Sequence, residues 1–76
     1  MTDATLDARG LNCPMPILRA RKALKDLKLG QTLEVLATDP LAIPDFEAFC
    51  LTTGNELVEA ATQDGEHRIV IRVGAC

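Results

Sequence analysis

Apolar residues recur along the chain in two different periods, and the changes between them mark out six elements. Thr5 to Ala8 reads as a short strand. From Pro14 to about Leu29, the residues Ile17, Ala20, Leu24 and Leu27 fall on one side of a helix, with Leu18 beside them. Gly30 suits the C-terminal cap of that helix. Thr32 to Ala37 (TLEVLA) alternates Leu33, Val35 and Ala37 with Thr32 and Glu34, the period of a strand. Asp39-Pro40 reads as a helix cap followed by proline at the first helical position. Pro44 complicates this, because a second proline cannot sit deep in a helix. Either a short turn precedes a helix starting near Pro44, or the first turn is irregular. That helix continues through Phe46, Phe49 and Cys50 to about Thr53, and Gly54 ends it. Glu56 to Thr62 and His67 to Val73 read as strands joined by a hairpin turn, Gln63-Asp64-Gly65-Glu66. Ile69, Ile71 and Val73 share one face of the last strand.

The order is strand, helix, strand, helix, strand, strand. Two helices can cover only one face of so small a four-stranded sheet. The expected fold class is therefore α+β: a two-layer α/β sandwich, βαβαββ, with a mixed sheet. The order of the strands does not follow from the pattern. At 76 residues the chain is expected to form one domain, residues 1–76, with a thin core. Its 47% hydrophobic content is too high for a disordered chain. No apolar run approaches the roughly 18 residues of a membrane helix, so no membrane association is expected. The N-terminal MTDATLDARG does not read as a signal peptide, and the expected location is the cytoplasm.

Formal net charge is −3, unevenly placed. Arg19, Arg21, Lys22, Lys25 and Lys28, five of the eight basic residues, lie in one ten-residue stretch. An acidic chain without Trp or Tyr lacks both a general attraction for phosphate and their stacking surfaces, so direct nucleic-acid binding is disfavoured. The basic stripe suits an acidic protein surface instead. Arg19 and Lys22, nearer the start of the helix, are candidates for partner docking. So are Met15, a flexible apolar side chain between two prolines, and Asp45, if the second helix starts beside the first. Ordinary solvated faces, packing and helix-dipole complementarity are the alternatives for these four.

Three cysteines, Cys13, Cys50 and Cys76, make an odd set without C-x-x-C spacing. A disulfide framework is not expected, and the single His67 has no neighbouring set of zinc ligands, so no metal and no cofactor are expected. Cys50 shares a helical face with Ile43 and Phe46 and reads as a core residue. Cys13 is different. It stands in GLNCPMP, after a turn led by Gly10 and Leu11, at the position of a helix N-cap. Pro14 would then occupy the first helical position and Pro16 the third, where no helical donor is lost. The N–H groups of Met15 and Ile17 would be free to face the sulfur, and the helix N-terminus would favour thiolate over thiol. This describes an exposed nucleophile on a stiff mount. The other reading is a buried cysteine used as a small cap. A Cys-His hydrolase would need His67 to fold against Cys13, and a dithiol oxidoreductase would need a resolving cysteine nearby. A thiol that accepts a group from one protein and hands it to another needs neither.

The run from Leu6 to Pro16, LDARGLNCPMP, resembles the signature of the TusA family of sulfur carriers, also called SirA-like. The resemblance extends to Thr38-Asp39-Pro40, to Ile43-Pro44-Asp45-Phe46 and to Cys50, and it covers essentially the whole chain. It implies the same βαβαββ sandwich. It also implies that Cys13 carries sulfur as a persulfide, loaded by a cysteine desulfurase or a rhodanese and passed to an acceptor cysteine on a relay protein. Such relays lead to 2-thiolation of the tRNA wobble uridine or, in sulfur oxidisers, toward sulfite. Other relatives are linked to molybdenum cofactor assembly or selenium metabolism. A monomer acting with protein partners is expected. A non-catalytic adaptor or regulatory module using the same surface is the alternative. Cys76 lies outside the family motif.

Overall fold

The structure, a computed structural model, describes residues 2–74. Cys76 lies outside them. The elements follow the order β1 (Ala4–Ala8), α1 (Met15–Leu24), β2 (Thr32–Ala37), α2 (Ala42–Thr53), β3 (Glu56–Gln63) and β4 (Glu66–Arg72). The strands form one mixed sheet in the order β1-β2-β4-β3. β1 runs parallel to β2, with Ala4 opposite Leu33 and Ala8 opposite Ala37. β4 is antiparallel to both β2 and β3. Both helices pack on one face, α1 against β1 and β2, α2 against β3 and β4, and they touch each other. This is the α+β sandwich expected from the pattern.

The alternation of β2 sorts its side chains as anticipated. Leu33, Val35 and Ala37 are fully buried, and Thr32, Glu34 and Leu36 are partly exposed on the other face. Ile69 and Ile71 of β4 join them under Phe46 of α2, and Ala20 and Leu24 complete the core from α1. The opposite face is covered by charge rather than by a third layer. Arg68 bridges Glu34 and Glu59, and Arg72 pairs with Glu56. Asp64 and Gly65, both at positive φ, form the two-residue hairpin between β3 and β4, the backbone that such a tight connection demands. The register is irregular at Leu57–Glu59, and Val58 is exposed there on the edge strand.

Two helix boundaries differ from expectation. α1 ends at Leu24, not near Leu29. Beyond it the bonds tighten, Lys25 to Lys22, Asp26 to Ala23 and Leu27 to Leu24, because the chain must turn back to enter β2. Gly30, at φ +86°, is therefore not the helix cap; its N–H reaches the Val73 carbonyl at 3.0 Å. α2 begins at Ala42 with Leu41 at the cap position, so Asp39 is not its N-cap and Pro40 does not open it. Asp39 instead closes a short turn, its side chain accepting from the Leu41 N–H at 3.0 Å and its carbonyl from the Ala42 N–H at 2.9 Å. Pro44 stands within the first turn, where no donor is needed. Gly54 does end the helix, in the left-handed conformation, donating to the Cys50 carbonyl at 2.9 Å.

Candidate functional site

Parallel pairing sets the ends of β1 and β2 side by side, and the two segments that leave them build the site. Gly10, at φ +81°, turns the chain after β1, and its N–H donates to Thr38 Oγ1 at 2.9 Å. Leu11 is half-buried against the core, and its N–H returns to the Ala8 carbonyl at 3.2 Å. The Cys13 N–H donates to Asp39 Oδ2 at 2.7 Å. One carboxylate thus holds the Cys13 turn with one oxygen and the approach to α2 with the other. The Cys13–Pro14 peptide bond is cis.

Cys13 is exposed, whereas Cys50 is 4% exposed and belongs to the core. Cys13 is not the N-cap. Pro14 holds that position, Met15 is the first helical residue and the buried Pro16 the second. The Met15 N–H is taken by the Asn12 carbonyl at 2.8 Å, so it is not free to face the sulfur. The displacement follows from that bond, which closes a turn over Asn12–Met15 before the helix starts.

The electrostatics also differ from the local reading. The Asp45 carboxylate, which shares the groove with Cys13 and favours the protonated sulfur, holds the Cys13 thiol above its ordinary pKa. Partial desolvation and the negative charges of Asp45 and Asp39 push the same way. The expectation of a depressed thiol pKa is thus reversed, because two carboxylates, one from the turn after β2 and one from α2, favour the protonated sulfur. Asp39 itself is held below the usual carboxylate range, chiefly by the backbone bond from Leu41 and then by that from Cys13.

A shallow, open groove between the helices receives Cys13, Pro14, Ile17 and Arg21 from the first side and Asp45, Ala48, Phe49 and Thr52 from the second. Arg21 lies over the Phe49 ring, its guanidinium carbon 5.8 Å from the centroid. Of the candidate docking residues, Asp45 lines this groove, and Met15, two residues after Cys13, is 40% exposed. Arg19 and Lys22 line a different depression with Leu6 and Asp26, so they do not share a groove with Cys13. Arg21, one of the basic residues of the stripe, does reach the groove, whereas Asp39 was a neighbour that spacing along the sequence did not single out for the thiol. Only the Thr38-Asp39-Pro40 segment pointed toward the latter. His67 bonds to Thr62 Oγ1 at 2.8 Å through Nδ1 and is not among the groove residues. Among the described residues, no three of His, Cys, Asp and Glu gather as metal ligands would. No described helix is long and apolar enough to cross a membrane.

An exposed cysteine on a turn before the first helix of a βαβαββ sandwich defines a recognisable class. The family model described as sulfurtransferase TusA matches residues 4–73, and the chain belongs to that family. It is 51% identical over 70 residues to the sulfur carrier protein TusA of Allochromatium vinosum, covering 92% of each chain. It is 53% identical over 72 residues to a putative sulfur carrier protein of Neisseria meningitidis serogroup A, covering 95% of this chain and 97% of the other. The crystal structure of a SirA-like protein from Desulfitobacterium hafniense superposes with a TM-score of 0.82 at 30% identity, covering 93% of this chain and 97% of that one.

Proposed function

We propose that this protein is a sulfur carrier that accepts sulfane sulfur on Cys13 as a persulfide and passes it to an acceptor cysteine of a partner protein. The observation that carries this reading is the exposed Cys13 on its anchored turn, in a chain of the sulfurtransferase TusA family. Loading by a cysteine desulfurase or a rhodanese is a displacement at sulfur. The Cys13 sulfur bonds to the terminal sulfur of the donor persulfide, the donor S–S bond breaks, and the thiol proton ends on the departing donor sulfur. Delivery repeats the step, with the acceptor cysteine attacking and Cys13 leaving. The sulfane sulfur carries its oxidation state with it, so neither an outside oxidant nor a cofactor is required. The open groove suits a partner's surface rather than an enclosed small substrate. The relay we propose is a cytoplasmic one, such as tRNA wobble-uridine thiolation or, in a sulfur oxidiser, sulfur oxidation.

The test is intact mass after incubation with a cysteine desulfurase and cysteine, and separately with a rhodanese and thiosulfate. Wild type should gain one sulfur that reductant removes, and Cys13→Ser should gain none while remaining folded. No gain from either donor would transfer the weight to an adaptor module.

A further inference from the structure

Two carboxylates stand at the turn that carries the nucleophile. Asp39 reaches the Cys13 backbone at 2.7 Å, and Asp45 shares its groove from α2. Among the described residues, neither carboxylate enters a salt bridge, although other acids of the chain do. Arg21 enters the same groove from α1 with its guanidinium over Phe49, and His67 on β4 acts on Asp39. Asp45 and Asp39 are the acids that the groove and the Cys13 backbone bond bring to this turn.

We propose that Asp45, with Asp39 beside it, biases Cys13 toward giving its sulfur away, because the empty sulfur is an uncharged thiol and the loaded one an anion. This rests on the carrier reading above and adds a direction to it. Exchange with a small persulfide makes the charges explicit. Cys13–SH reacts with the persulfide anion of glutathione to form Cys13–S–S⁻ and glutathione. The bond between the glutathione sulfur and the sulfane sulfur breaks, a bond from the latter to Cys13 Sγ forms, and the Cys13 proton ends on the glutathione sulfur. One negative charge is present on each side, but on the product side it lies beside two carboxylates. The elevated thiol pKa has the same origin: the site favours the uncharged form. A carrier built this way holds its sulfur loosely. Its sulfur passes downhill to an acceptor cysteine that lacks such neighbours, and a partner that covers Asp45 with a cation would strengthen loading while docked.

The test is the loaded-to-empty ratio of Cys13, read by intact mass at equilibrium in a mixture of glutathione and glutathione persulfide near neutral pH. Asp45→Asn should raise the ratio about threefold or more, the effect of one unit charge several ångströms away in a largely aqueous setting. The gain should shrink as salt is added. Asp45→Glu should restore the wild-type ratio, and Asp26→Asn, in the separate depression lined by Arg19 and Lys22, should leave it unchanged. A merely structural role for Asp45 would not follow charge in this way. An Asp45→Asn ratio equal to wild type overturns the inference and leaves the carrier reading standing. A wild type that takes up no sulfur from this or any protein donor overturns both.

Discussion

Replacing Phe49 by leucine tests how the floor of the Cys13 groove is held. Phe49 is 8% exposed and packs its ring edge-to-face on Phe46, with centroids 6.2 Å apart and planes at 80°. The Arg21 guanidinium carbon lies over the same ring, 5.8 Å from its centroid. Leucine retains most of the apolar bulk but removes both ring interactions. The aromatic pair contributes roughly 0.5–1.5 kcal/mol beyond burial. The cation over the ring contributes about 0.5–1 kcal/mol at an exposed site. Phe49→Leu should therefore cost about 1–2.5 kcal/mol. A domain of this length has a stability of about 4–11 kcal/mol, so the variant stays folded and measurable. Urea unfolding gives the loss from the shift in midpoint at unchanged slope. A double-mutant cycle with Arg21→Gln isolates the cation–ring share, expected at about 0.5–1 kcal/mol. If Arg21→Gln costs the same with and without the Phe49 ring, the coupling is absent. The groove would then owe its shape to burial alone.

Two further outcomes follow from burial and charge. Cys50→Ser places a hydroxyl in the apolar cluster beneath α2, and should lower stability by about 1–3 kcal/mol in urea unfolding while leaving sulfur uptake by Cys13 intact; an unchanged midpoint would remove Cys50 from the core. Asp7 is held at about 2, below its usual 3.8, first by the Arg9 side chain and then by the Arg9 backbone. Because the folded pKa is depressed, its contribution to stability is complete above the ordinary carboxylate range and is lost as pH falls toward 2. Carboxyl NMR titration should show that midpoint in wild type and a return toward 3.8 in Arg9→Gln. A wild-type midpoint already near 3.8 would mean that the pair does not persist in solution.

Much of the architecture was legible because each element declares itself locally. The alternation of Leu33, Val35 and Ala37 requires a strand with one buried face, and these residues are buried. Gly54 tolerates the left-handed backbone that ends α2, and Asp64-Gly65 the positive φ of the hairpin. LDARGLNCPMP identified the family and drew attention to Cys13. Boundaries were less legible. The stretch after Leu24 retains a helical spacing at Leu27, but the chain has to reverse there to enter β2, and tertiary geometry overrides the period.

The site separates along the same line. That residue 13 is a cysteine on a turn before a helix is a property of adjacent residues, and the sequence alone determined it. So were the two-layer class and most of the residues of the core, since periodicity is enough to assign a face. Which strands neighbour one another, and therefore which acids meet the sulfur, was decided only by the tertiary structure. Parallel pairing of β1 with β2 brings Asp39 to the Cys13 backbone, and the packing of α2 against α1 brings Asp45 into the groove. Read locally, the thiol sees a helix N-terminus and a reason to ionise. In the folded chain it sees two carboxylates and keeps its proton, because Coulomb energies depend on distance through space and not on separation along the chain.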